Sequence, residues 1–408
     1  MNFLGLWLGL RMGWGLYGMV VGTAVMGKAP PDPVEGDSLA GFVQDPSDSD
    51  LNAFFAAPVE ANPTDPKRSQ ATSATRTLLA GATSCIVYDL HRFYNSQKAD
   101  PTDPTKWQPA VAATIARETH LSEENGTPSR LQVSFSSSDG FGREIHKKIQ
   151  AEPGRLDPLD EASPQLNPRW VGSGWSVFNN KGRPVRQYEP FFTATHAFEF
   201  GIAQGVSPVL FYDPADRVVA TLHPNHTYEK VVFDPWRQIS WDVNDTVVSY
   251  DVNSQAASLR NPADDEQVGA MFQRLPEKSY LPTWYELRTD AAQALATWPD
   301  QDAKGNPLPD HAKRRETEKT AANRAAPHAD TPTTAYFDAL GRPFLTLAHN
   351  RVVCADHPLN RKVDETTGTR VDLDIEGNQR AVRDERRLPD AAGLPLGAME
   401  QRVVMRYA

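Results

Sequence analysis

The 408-residue sequence has only two cysteines, Cys85 and Cys354. Two are too few for a disulfide framework, and both read as small buried hydrophobes. It also lacks a basic excess. Against 42 Lys and Arg stand 52 Asp and Glu, a net charge of −10, which argues against a generic nucleic-acid binder. No phosphate loop, dinucleotide fingerprint or His-Glu-x-x-His stretch occurs. Gly172-Ser173-Gly174 is not a nucleophile elbow, because no residue separates Ser173 from its glycines. Proline, in contrast, is plentiful: 33 residues against 26 glycines. That composition favours many turns over long helices.

Long apolar runs are absent except at the start. Residues 1–28 are apolar and Gly-rich, with Arg11 the only charge before Lys28. No basic residue precedes the run, as a secretory signal requires. A spanning helix of this length is feasible. Arg11 near its middle would cost about 2.5–3.5 kcal/mol, and the glycines weaken it further. The readings rank as the odd start of a fragment, then a membrane anchor, then a cleaved signal. Residues 29–70 are rich in Pro, Asp and Ala and read as a flexible acidic linker. A short helix is expected within 47–57, capped by Asp50.

The stretch Leu210 to Trp241 organises the chain. It holds Phe211-Tyr212-Asp213-Pro214-Ala215-Asp216-Arg217 and, 21 residues on, Val232-Phe233-Asp234-Pro235-Trp236-Arg237. Each copy is an apolar pair, an Asp, a polar turn, an Arg and a return strand. Asp accepts a backbone hydrogen bond two residues on and starts the turn. The β-branched and aromatic flanks read as strands. One hairpin alone is marginal, so the pattern predicts its own repetition. Further copies carry Asp139, Gly142 and Arg143; Asn179, Gly182 and Arg183; and Asp338, Gly341 and Arg342. Leu373-Asp374-Ile375-Glu376-Gly377-Asn378-Gln379-Arg380 is a degenerate copy, and Tyr88-Asp89-Leu90-His91-Arg92-Phe93 is a candidate one. The glycines fall where a left-handed residue closes a turn.

The fold expected is mainly β: stacked antiparallel hairpins over 71–260 and 329–408, with a helical insertion over 261–328. A brief helix is expected over 71–80, a strand over 83–93 and a polar hairpin loop over 95–106. Inside the insertion, helices are expected from Pro262 to about Leu275, over 281–296 and over 310–326. The last strand-like residues, Val403 to Tyr407, suggest further repeats beyond them.

The chemistry-bearing residues all have plainer roles. His223 and His226 have a zinc-like spacing, but Pro224 forces a turn and no third ligand comes at a typical spacing. Asp213, Asp234 and Asp338 could act as acid and base, yet they are copies of one another, which favours turn formation. Trp170, Trp175, Trp236 and Trp241 suit a carbohydrate site less well than packing between strands. Lys313-Arg314-Arg315 beside Glu316 and Glu318 reads as a solvated helix face. No catalytic, cofactor or metal site is expected.

The aromatic-Asp-x-x-Gly-Arg units resemble YD repeats of the rearrangement-hotspot (RHS) family. The strings TLHPNHTYEKVVFDPWRQ, GWSVFNNKGRPVRQYEPFF, DGFGREIHKKIQAEPG, YLPTWYELR, HADTPTTAYFDALGRPFLTLAHN and DIEGNQRAVRD look like the RHS part of the B component of bacterial Tc insecticidal toxin complexes. The resemblance covers roughly Leu51 to the C-terminus. It implies an open segment of a hollow β-shell that helps to hold an unfolded toxic polypeptide. It implies as partners a Tc-type C component and, through parts missing here, a pore-forming A component. It implies release in a bacterial toxin complex, with membrane contact only through residues 1–28, and no nucleic acid. The self-cleaving aspartates of the RHS-associated core have no counterpart, so no catalytic residue is carried over. The alternatives are an exported YD-repeat adhesion or carbohydrate-binding surface protein and a β-scaffold glycosidase, the latter needing a carboxylate pair roughly 5–9.5 Å apart.

Overall fold

The structure, a computed structural model, describes residues 9–14, 18–28, 35–124, 126, 128–251, 254, 256–353, 362–387 and 400–406. Cys354 and Tyr407 lie outside them. The chain is mainly β, in antiparallel sheets, and divides into two compact units, Met1–Val206 and Ser207–Ala408.

The first unit runs β1 (Gly9–Trp14), β2 (Val20–Met26), α1 (Asp48–Ala56), β3 (Val59–Ala61), β4 (Ser69–Ala71), α2 (Ser73–Leu79), β5 (Ser84–Asp89), α3 (Arg92–Ala99), β6 (Ala110–Arg117), β7 (Leu131–Ser138), β8 (Glu144–Ala151), β9 (Gly154–Arg155), β10 (Gln165–Leu166), β11 (Arg169–Gly172), β12 (Ser176–Phe178), β13 (Pro184–Gln187) and β14 (Phe191–Thr193). Its main sheet has the order β1-β2-β5-β6-β7-β8-β11-β14. Alternation decides which face is inside. On β7, Leu131, Val133, Phe135 and Ser137 are buried and Gln132 is exposed. Phe54 of α1 stacks on Phe135 at 5.9 Å, and Trp170 meets Phe135 edge-on at 5.6 Å.

The structure corrects four expectations in this unit. Residues 9–14 and 20–26 form not a spanning helix but a pair of antiparallel strands. Arg11 stands opposite Ala24, and β2 joins β5 through Gly22 and Cys85. β-branched Val20, Val21 and Val25 favour the strand. A Cβ on Gly22 would lie 2.6 Å from the Phe42 ring. Among the described residues no helix is long and apolar enough to cross a membrane. Residues 35–70 are not a linker. They hold α1, β3 and β4, and Phe54 is fully buried. Ser47, not Asp50, caps α1: its Oγ accepts from the Asp50 N–H and donates to the Asp50 carboxylate. The prolines shape the β3–β4 turn, where Asn62 Oδ1 accepts from the Thr64 and Asp65 N–H groups. Finally, the polar loop expected over 95–106 begins inside α3. It is tied down by Trp107 Nε1 donating to the Asp100 carbonyl and by the Gln108 N–H donating to Ser96 Oγ.

The second unit runs β15 (Val209–Tyr212), β16 (Val218–Leu222), β17 (Tyr228–Phe233), β18 (Arg237–Trp241), β19 (Ser249–Asp251), β20 (Ala256–Ser258), α4 (Gly269–Phe272), α5 (Glu286–Thr289), α6 (Ala291–Thr297), α7 (Pro309–Ala325), β21 (Thr333–Phe337), β22 (Pro343–Val353), β23 (Lys362–Leu373), β24 (Gln379–Arg387) and β25 (Glu400–Arg406). Its nine-stranded sheet keeps sequence order apart from the inserted residues between β18 and β21.

The insertion is helical but more broken than its apolar spacing predicts. The helix expected over 281–296 splits at Asp290, whose Oδ1 takes the N–H groups of Ala292 and Gln293 and so caps α6. The first expected helix shrinks to a 3-10 turn and α4 because Asp265 is drawn to the sheet. There it receives Lys230 Nζ at 2.7 Å and Tyr228 Oη at 2.8 Å. Fully buried Phe272 packs edge-on to Tyr228 and Tyr280. The helix expected over 310–326 is α7, with Ala322 its one buried residue.

Candidate functional site: the turn ladder

The repeated units fold alike. In the hairpin β7–β8, Asp139 N–H donates to the Arg143 carbonyl and Gly142 N–H to the Asp139 carbonyl. The carboxylate fills the middle: Oδ1 accepts from the N–H groups of Phe141 and Arg143, and Oδ2 accepts from Arg143 Nε at 2.7 Å. The same bonds recur at Asp213–Arg217 and Asp338–Arg342. Gly142, Gly182 and Gly341 have φ of 76°, 81° and 73°, and Asp216 takes that slot at 63°. A left-handed residue ending a type I turn is a standard three-residue hairpin device. Asn179 shows what the carboxylate adds. Its Oδ1 still accepts from the Lys181 and Arg183 N–H groups, so an amide suffices for the backbone part.

Each of these hairpins carries one extra residue on its return strand, two positions past the Arg slot: Ile145, Val185, Val219, Phe344 and Arg380 are skipped in the register. The Asp234 turn differs. Asp-Pro-Trp-Arg is one residue shorter, Asp234 N–H reaches the Arg237 carbonyl directly, and the β17–β18 register is unbroken. Arg237 still donates through Nε to Asp234 Oδ2 at 2.5 Å.

The arginines also reach beyond their own turns. Arg143 lies 4.8 Å over the Phe178 ring, and a Cβ at Gly182 would lie 2.9 Å from its Nη1. Arg217 sits 4.3 Å over Phe233. Arg237 stands opposite Tyr336, and beside it the Phe337 N–H donates to the Trp236 carbonyl at 2.8 Å. Arg342 Nη1 donates to the Asp374 carbonyl at 3.1 Å. In the second unit the turns at 213, 234, 338 and 374 all lie at one end of the sheet, so these contacts form a continuous ladder.

Other turns depart from the expected pattern. At Asp374 the fifth residue is Asn378, whose Nδ2 donates to Asp374 Oδ2 at 3.1 Å, while Arg380 approaches at 3.4 Å. His223 to Thr227 and Asp302 to Asn306 repeat the same backbone pattern without an Arg, and the Asp-to-Arg signature passes over both. The signal that finds them is the five-residue spacing itself, with His226 and Gly305 in the left-handed slot. The candidate at Tyr88–Phe93 is not a turn of this kind. Asp89 ends β5, and Arg92 opens α3.

The turn acids are held ionised. At Asp213 the Arg217 backbone N–H leads in keeping the carboxyl below the usual range, and at Asp338 the Arg342 N–H does so. At Asp234 the leading donor is the Trp236 N–H, and at Asp374 the Asn378 N–H. At Asp139 partial burial works upward, but the bonds from Arg143 outweigh it. A carboxylate held ionised by its own turn is poorly placed to give a proton near neutral pH.

Elsewhere, His226 Nδ1 bonds the Pro282 carbonyl at 2.7 Å. Among the described residues no group of three or more His, Cys, Asp or Glu is arranged to hold a metal ion. Trp170 is buried, Trp241 carries Lys230 Nζ at 4.7 Å, Trp175 packs on Phe200, and Trp236 is exposed. Arg315 bridges to Asp300 at 2.6 Å rather than facing water alone.

No family model and no curated protein matches the chain. Solved structures do. It is similar to the crystal structure of TcdB2-TccC3 with a TM-score of 0.50 and 15% identity, over 95% of this chain and 16% of that one. TcdB2-TccC3 without its hypervariable C-terminal region gives 0.52 and 16%, over 95% and 17%. The Photorhabdus luminescens Tc holotoxin pore gives 0.51 and 14%, over 95% and 18%. The chain thus spans less than a fifth of the chains it matches, and at this identity the likeness is one of fold.

Proposed function

We propose that this chain is a non-catalytic wall segment of a Tc-type toxin shell, built of RHS/YD repeats and helping to enclose and deliver a toxic polypeptide. The observation that carries the reading is the fold likeness to TcdB2-TccC3 over 95% of the chain. The turn geometry supports it. Each carboxylate serves the backbone of its own hairpin, and each hairpin serves its neighbour, so the repeats make a wall rather than a cleft. The partner is a Tc-type C component and, through the rest of such an assembly, a pore-forming A component. The setting is a toxin complex released by a bacterium. Co-expression with a Tc-type C component tests this. The chain should co-purify with it and protect its C-terminal region from added protease. A soluble, folded chain that passes through the purification alone would sink the reading.

A further inference from the structure

We infer that the turn rim of the second unit is a docking rail for one amphipathic helix of a partner protein, a helix with basic flanks. Three successive turn tips project large apolar side chains into water: Trp236 is 60% exposed, Leu340 71% and Ile375 91%. The turn does not require them: Lys181 and Ala215 fill the slot of Trp236 and Leu340 in other copies, and Pro214 and Ala339 fill that of Ile375, one residue after the Asp.

Spacing selects the partner. The hairpins β17–β18, β21–β22 and β23–β24 are consecutive in one sheet. Strands lie roughly 4.7–4.9 Å apart, so their tips recur at about 10 Å. Seven residues of α-helix rise about 10.5 Å. One helix laid along the rim therefore brings a residue of the same face over each tip. The bonds from the Phe337 N–H to the Trp236 carbonyl and from Arg342 to the Asp374 carbonyl hold the turns together before anything binds, which lowers the ordering cost of binding.

Area and charge narrow the choice. The row is one side chain wide, well short of the roughly 800 Å² per partner of a standard protein interface, so a second copy of this chain does not fit the role. The three turn segments that carry the tips, 234–237, 338–342 and 374–380, hold four carboxylates and three arginines, and Asp234, Asp338 and Asp374 are each paired with an arginine, leaving Glu376 as the excess charge beside Ile375. That acidic excess suits Lys or Arg beside the helix's apolar stripe and repels an anionic lipid surface.

The test uses the full chain and a fluorescein-labelled peptide of three Leu-Ala-Ala-Lys-Ala-Ala-Lys heptads, read by anisotropy. A control peptide has the same composition with its leucines five residues apart. Saturable binding of the heptad peptide is expected, at least tenfold tighter than the control. Joint Trp236→Ser, Leu340→Ser and Ile375→Ser should weaken it at least tenfold while circular dichroism stays unchanged, because the tips are solvent-exposed. Ala215→Leu should add a fourth tip and tighten a four-heptad peptide. Equal binding of both peptides, no saturable binding, or indifference to the triple substitution would overturn the proposal. So would a dimer in sedimentation velocity that the triple substitution abolishes. The shell reading stands or falls separately, on co-purification.

Discussion

Arg342 belongs to two turns at once: its Nε and Nη2 grip Asp338 Oδ2 at 2.7 Å, and its Nη1 donates to the carbonyl of Asp374, 32 residues on. Arg342→Ala removes both links and should cost about 1 kcal/mol, modest because the pair is partly solvated. Arg342→Lys keeps the charge but not the fork and should recover less than half. Urea denaturation of the three proteins reads the difference.

Asp139→Ala and Asp213→Ala should each cost about 0.5–2 kcal/mol, as helix-cap losses do. Asp213→Asn should cost less than Asp213→Ala, because Asn179 already makes the backbone bonds with an amide. Equal losses for Asn and Ala would show that the ion pair, not the backbone acceptor, holds the turn.

Acid should act in two windows. The turn carboxylates titrate below their ordinary value of 3.8, so their contribution is full above that pH and is lost as pH falls through the depressed values. His146 acts earlier. It is buried between Phe191 and Phe198 with neither ring nitrogen bonded. Burial leads in pushing it from 6.5 to about 4; Lys148 adds to this, while Glu199 and Glu144 oppose it. Between those values the unfolded chain binds the proton and the folded one does not. Stability therefore falls by about 3 kcal/mol as pH drops from 6.5 to 4. His146→Phe should flatten that slope in urea midpoints taken from about pH 7 to 4, leaving the part due to His196, which burial also lowers.

Cys85 should be silent in the folded protein. It is 3% exposed, and burial pushes its thiol up to about 12, so almost no thiolate forms near neutral pH. In a Cys354→Ser background, a thiol reagent at about pH 8 should label the chain only as fast as it unfolds. Rapid stoichiometric labelling without denaturant would contradict the buried site.

The hairpins are legible in the sequence because their code is local: an Asp, a left-handed slot and an Arg within five residues decide the turn before any tertiary contact forms. Helix α7 is legible for the same reason. Residues 35–70 are not, because Pro and Asp read as linker composition, while the order there comes from Phe54 entering a core made by β7 and β11, distant in sequence. Residues 9–26 mislead similarly: their composition suits a bilayer, yet Val21 and Ala24 are buried on a strand that pairs with β5. The Asp290 break hides within good helical spacing, since the residue that ends α5 also begins α6.

The extra residue past each turn has a mechanical consequence. A bulge bends its strand and increases the right-handed twist, and here it falls on the same strand of the hairpin every time it occurs. In the nine-stranded sheet three such bulges, at Val219, Phe344 and Arg380, fall on return strands, and bends repeated with one sign add rather than cancel, much as a wedge in each course of brick makes an arch. The β17–β18 hairpin, which has no such wedge, is the straight course between curved ones. Deleting Val219 should lengthen that straight stretch, whereas a residue inserted two places after Arg237 should remove it.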